Sequence, residues 1–180
     1  MNRLFYPTVA ILILVGSAFT GAFNLPAQNW QIAEGYSIGF SNDEASGIFK
    51  DFKGTVVFDE QNPAAAKFDV TVEVASINTG NGLQNKHAKS DEWFDAAKYP
   101  QIRYTSQKIV KAGNGYQVTG DLEIHGVKKP VTFPFTFQKT AKGAVFAGSF
   151  IVNRSDFKIG KPGGEVPEPV KIEISVPVTK

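Results

Sequence analysis

The chain has 180 residues, with 19 basic and 17 acidic side chains for a net charge of +2, 42% hydrophobic and 12% aromatic residues, and no cysteine. So even a charge balance, with no basic run, argues against a nucleic-acid-binding protein. The lack of cysteine excludes disulfides, thiol catalysis and cysteine-ligated zinc.

The apolar content is aromatic and β-branched, with 15 Phe against a single Met, which favours strands over helices. Either a Phe-rich packed core or an interior lined for a flexible apolar guest fits that composition.

Residues 1–22 read as a secretory signal peptide. Arg3 gives a positive start, Phe5 to Val15 is apolar apart from Pro7, and Thr20-Gly21-Ala22 places small residues at a cleavage site. The apolar run is about eleven residues, shorter than the roughly 20 of a membrane-spanning helix. An uncleaved N-terminal anchor is the alternative. A mature N-terminus near Phe23 is expected, with residues 23–180 as one exported domain.

Most of the chain beyond Phe23 alternates with period two. Weak strands are expected near Gln31–Phe40 and Thr55–Asp59. The cleanest runs from Lys67 to Val74, with Phe68, Val70, Val72 and Val74 on one face and Lys67, Asp69, Thr71 and Glu73 on the other. Asn81 to Tyr99 breaks the rhythm and reads as one or two short helices stopped by Pro100. Strands resume at Gln101–Ser106 and Tyr116–Ile124, then across Val131, Phe133, Phe135 and Phe137. Pro134 lacks an N–H, so it is expected at a bulge, an edge or a poorly paired position. Ala144–Val152 has apolar residues on both faces, leaving its register open. Gly160 to Pro169 reads as a loop, and Val170–Val178 as the last strand.

Turns such as Gly113-Asn114-Gly115, His125-Gly126 and Lys142-Gly143 make the connections tight, so the strands pair antiparallel. The fold class is all-β: an extended antiparallel barrel of about eight strands with a short helical insert. Phe68, Val70, Tyr104, Phe133, Phe135, Phe137, Ile172 and Ile174 are the expected interior lining.

Little of the sequence suggests enzyme chemistry. His87 and His125 match no metal-ligand spacing, and there is no G-x-S-x-G elbow. Gly80-Asn81-Gly82 and Pro162-Gly163-Gly164 sit in no strand–helix unit that would cradle phosphate. No catalytic residue, metal or cofactor is expected. Arg154 has two readings: a contact for an anionic lipid head, since guanidinium suits phosphate, or a structural pair with Asp156 or another acid near the barrel end. His125 is the other candidate head-group contact, and the acid–base group that an enzyme acting on a lipid head would need. An outer-membrane barrel is a further alternative, disfavoured by the charged second face of most strands.

Four blocks carry a family resemblance. They are Ser76-Ile77-Asn78-Thr79-Gly80-Asn81, Lys86 to Asp95 with Lys98-Tyr99-Pro100, Gly120 to Val127 with Lys129-Pro130-Val131, and Asn153-Arg154-Ser155-Asp156-Phe157. In this order they resemble the YceI-like polyisoprenoid-binding proteins. The resemblance implies a lipocalin-like barrel, periplasmic location, no catalysis, and a long isoprenoid, quinone-type or similar amphiphilic lipid as a non-covalent ligand. Transient membrane contact and a homodimer are compatible with it. Departures are Tyr36-Ser37 in place of an early His-Ser, Asn85 for Asp, Ala88 for Leu, and Glu168-Pro169 before the last strand.

A closed barrel offers a tail no side door, because opening one breaks a backbone ladder. Passage is therefore expected at an end, with the Gly160–Pro169 loop as gate and the Asn81–Tyr99 insert, anchored by Trp93 and Phe94, as fixed wall.

Overall fold

The computed structural model describes residues 28–180, so the signal-peptide reading of residues 1–22 lies outside the described residues. The strands are β1 (Asn29–Ile32), β2 (Ser37–Ser41), β3 (Ser46–Phe49), β4 (Phe52–Val57), β5 (Lys67–Glu73), β6 (Ile77–Asn78), β7 (Gln101–Ala112), β8 (Gly115–Ile124), β9 (Val127–Thr140), β10 (Gly143–Asn153) and β11 (Pro169–Thr179). Among the described residues one α-helix, α1 (Gly82–Ala88), stands between β6 and β7.

The ring β1-β4-β5-β7-β8-β9-β10-β11 closes on itself through β1–β11, giving an eight-stranded antiparallel barrel. β2, β3 and β6 extend three of these strands beyond interruptions, and β2 continues the pairing along β11. At the first interruption the Tyr36 hydroxyl replaces the missing backbone bonds. It donates to the Lys50 carbonyl (2.8 Å) and accepts from the Phe52 N–H (3.2 Å). This is the position where the resemblance shows histidine elsewhere.

Period two decides which side chains enter. In β5, Phe68, Val70 and Val72 face the interior. Asp69 and Glu73 stay outside, bonded to Arg103 and Lys53 respectively. In β10 the even set turns inward: Phe146 is buried and Phe150 and Val152 line the interior, while Ile151 is 68% exposed. That settles the register which the sequence left open. β7 runs six residues past the expected Ser106 because a bulge between Ser106 and Lys108 shifts the alternation, sending Tyr104 and then Ile109 inward. β3 and β6 were not expected, since four and two residues are too short to display a period.

One barrel end is plugged. Phe58 has no solvent exposure. It meets Tyr116 (4.9 Å), Phe137 (4.9 Å), Phe146 (5.3 Å) and Phe135 (5.8 Å), several edge to face. Trp30 caps Phe137 at 5.4 Å and donates its indole N–H to the Phe58 carbonyl (3.0 Å). The other end carries α1, the segment up to Tyr99 and the loop before β11.

Candidate functional site: the apolar interior

Between the plug and the far end lies a cavity of about 170 Å³. Every strand of the ring except β1 contributes to its wall, together with Ile38 and Phe49 of the extensions. No charged side chain and no histidine lines it among the described residues; Thr71 and the Tyr104 phenol supply the polar atoms. Burial pushes the Tyr104 hydroxyl well above the ordinary phenol range, with the Asp121 charge adding to it, so it stays neutral. Such a wall can hold hydrocarbon.

Seven of the eight expected lining residues are on this wall: Phe68, Val70, Tyr104, Phe133, Phe135, Ile172 and Ile174. Phe137 is not. It points inward as the alternation requires, but its place near the end of β9 puts it in the plug against Phe58 and Trp30. The wall grades from packed to open. Phe133 and Phe135 are buried, whereas Phe68, Val70, Ile172 and Ile174 are only half-buried, so their free surface faces the void. Phe49, Phe52, Ile102 and Phe150 also line it. Ile102 was legible from its alternation with Tyr104, whereas Phe150 waited on the register of β10, which the structure settled. Phe49 and Phe52 flank a strand break and were not.

The two candidate head-group contacts lie off this wall. Arg154 is 4% exposed, and its guanidinium is fully committed to the loop. Nε donates to the Pro167 carbonyl (3.2 Å), Nη1 to Ile159 (2.9 Å) and Lys161 (3.0 Å), and Nη2 to Val166 (2.6 Å) and the Glu168 carboxylate (3.4 Å). A guanidinium has five N–H groups, so none remains for an anion. The reading of Arg154 as a head-group ligand gives way to a structural one, although its partners are mostly carbonyls rather than the expected acid alone. Glu168 is held below the usual carboxylate range by the Ser155 hydroxyl first, then by the Gly163 N–H and the Arg154 charge.

His125 forms the β8–β9 turn with Gly126, both at positive φ (52° and 71°). Its ring stands edge-on to Tyr99 at 4.5 Å. A Cβ on Gly126 would come within 2.6 Å of the same Tyr99 ring, so the turn needs glycine for space as well as for φ. His125 Nδ1 is buried without a hydrogen-bond partner among the described residues. His125 thus belongs to the barrel rim.

The insert is capped and packed against its neighbours, Trp93 and Phe94 among its contacts. Asn81 caps α1 by accepting from Leu83 N–H (2.9 Å) and Gln84 N–H (3.2 Å). Asn85 accepts from the N–H (2.8 Å) and hydroxyl (2.9 Å) of Thr79. Phe94 packs on Phe49 at 6.2 Å, and Trp93 lies over the Arg154 guanidinium at 5.6 Å. Through that stack the insert is joined to Arg154, whose guanidinium holds the carbonyls of the loop expected as the gate.

Comparison with known proteins agrees with this architecture. A family model for the YceI-like domain matches residues 16–178. Protein YceI of Salmonella newport (strain SL254) is 32% identical over 182 residues, covering 97% of this chain and 95% of its own. Among solved structures, BcnA of Burkholderia cenocepacia superposes with a TM-score of 0.78 at 30% identity, over 83% of this chain and 100% of that one. A polyisoprenoid binding domain from Saccharophagus degradans superposes at 0.64 with 14% identity, over 85% and 98% of the two chains, a likeness of fold alone.

Proposed function

Because the chain belongs to the YceI-like domain family, we propose that it is an exported, non-enzymatic carrier or reservoir for a long-chain isoprenoid, quinone-type or similar amphiphilic lipid, working in the periplasm. The observation that carries the reading is the wall of the interior cavity, apolar throughout except for Thr71 and one neutral phenol. The Saccharophagus degradans neighbour is named as a polyisoprenoid binding domain, which supports the same ligand class.

Each five-carbon unit moved from water to such a wall is stabilised by roughly 4 kcal/mol, at about 0.8 per carbon. A bilayer offers the tail the same gain. Burial therefore solubilises the lipid without favouring protein over membrane, which suits a carrier that both loads and unloads. The cavity is below the roughly 300–1,000 Å³ usual for small-molecule pockets, so a long tail must widen it or run along the half-buried walls beside it. The outside is polar: Asp69, Arg103, Lys53, Glu73, Lys171 and Glu173 form ion pairs across its surface. A membrane-embedded barrel carries its apolar band there instead.

Native mass spectrometry of protein purified from its own host, followed by organic extraction, tests the proposal. A prenyl lipid released at near-stoichiometric yield is expected. Folded protein that carries no lipid and takes up no dansyl-geranylgeraniol would overturn it.

A further inference from the structure

The β9–β10 hairpin turns tightly at Ala141-Lys142 and pairs from Thr140↔Gly143 to Phe135↔Gly148. Beyond that point Val127–Pro134 pairs with β8 alone, and Ser149–Asn153 with β11 alone. The cause is in the sequence. Alternate residues of an antiparallel strand direct their N–H groups to opposite neighbours. A two-residue turn starts that alternation at Thr140, so Thr140, Gln138 and Thr136 face β10, and next Pro134, Thr132 and Pro130. Two of these next three have no N–H to give. The ladder stops where the first proline falls.

Side chains alone span the rest. Phe133 and Phe150 stack at 4.4 Å with an interplanar angle of 17°. At the rim, Lys129 bonds Asp156 at 2.8 Å, both exposed. The wall is also thin where the ladder ends, at the last rungs beside the seam. A groove of about 640 Å³ on the outer surface shares Phe135, Ala147, Gly148 and Ile174 with the interior cavity, and Gly148, at an inward-facing position, has no side chain to close it. The groove's described lining includes several hydroxyls and one carboxylate, and no cation, which suits an uncharged polar head.

We propose that this β9–β10 seam is a lateral portal through which an apolar tail slides between interior and membrane while its head stays in the outer groove. The proposal rests on the carrier reading. It replaces the expected passage at an end, where Arg154 and Trp93 lock the cover. Separating the seam breaks side-chain contacts, a ring stack and an exposed ion pair among them, whereas separating any fully laddered pair of strands breaks a row of backbone hydrogen bonds.

The chain has no cysteine, so Thr132→Cys/Ile151→Cys places a single disulfide across the seam, on the outer face and in register with the existing ladder. Release of dansyl-geranylgeraniol from loaded protein to phosphatidylcholine vesicles is timed oxidised and reduced. Oxidation is expected to slow release at least tenfold, and reduction to restore the wild-type rate. Glu92→Cys/Lys161→Cys, which ties insert to loop, is expected to leave the rate unchanged. Pro130→Thr/Pro134→Thr, which restores the missing donors, should slow release and protect the Ser149–Asn153 amides from hydrogen exchange. It carries the test where the disulfide does not form. Unchanged release from a sealed seam, or slowing only from the insert–loop tie, overturns the portal and leaves the carrier reading standing. Folded protein that never takes up the probe overturns the carrier reading and the portal with it.

Discussion

Phe133 of β9 and Phe150 of β10 stack at 4.4 Å across the stretch of wall where no backbone ladder joins their strands. The pair supports the barrel and is the main apolar contact across the seam. Phe150→Ala is expected to lower stability by about 2–3 kcal/mol, less than a fully buried Phe because the ring is half-buried. It should also speed release of dansyl-geranylgeraniol. Urea denaturation and stopped-flow release measure the two effects, and a stability loss with unchanged release would make the stack merely structural.

Arg154 holds the loop by donating to four carbonyls and one carboxylate. Arg154→Met should cost about 3–5 kcal/mol, since several buried acceptors lose their donor together. Arg154→Lys should recover only a part, because an ammonium cannot match a planar fork. Lipid affinity per folded molecule should not change in either. A selective loss of affinity in Arg154→Lys would return the residue to a ligand role.

Wall positions should separate into packed and open. Phe135 is 5% exposed and touches Tyr116, Phe58, Phe68 and Phe146, so Phe135→Trp should destabilise by about 1–3 kcal/mol through overpacking. Val70 is half-buried and faces the void, so Val70→Trp should leave the melting temperature within a few degrees and reduce co-purified lipid. Equal destabilisation at both sites would mean that the interior is a solid core.

Acid should weaken the barrel from its outer face. The Arg103 guanidinium holds Asp69 below the usual carboxylate range, and Lys53 with Gln101 does the same for Glu73. Groups with depressed folded values contribute stability above their unfolded values, near pH 4, and lose it as pH falls through the folded ones. Stability should therefore be flat from pH 7 to about 5 and fall below about 4. Asp69→Asn should fall less over that interval. Denaturant midpoints at pH 6, 4 and 3 test this, and identical acid profiles for the two proteins would remove Asp69 as a contributor.

Phe58 should be the most sensitive single position of the plug. It is unexposed and makes ring contacts with five aromatic neighbours, so Phe58→Ala is expected to cost about 3–5 kcal/mol. Calorimetry would show whether the cavity left behind is tolerated.

The sequence by itself determined the class of fold and most of the interior. Alternation in β5, β8, β9 and β11 is a local property, because successive side chains of any strand point to opposite faces, and it placed Phe68, Val70, Phe133 and Ile174 inside without knowledge of a partner strand. Pro134, through its missing N–H, also marked a bulge, an edge or a poorly paired position, and the ladder to β10 ends beside it. Only the tertiary structure decided what lay across from these residues. Phe137 obeys the same period as Phe135 yet belongs to the plug, since depth along the barrel depends on where the opposing strands end. Arg154 became an anchor because the loop folds back over it, a long-range closure that no local pattern encodes. That Pro130 and Pro134 fall on successive β10-facing positions mattered only once the short Ala141-Lys142 turn had set the register, and that register turned two ordinary prolines into an unzipped wall.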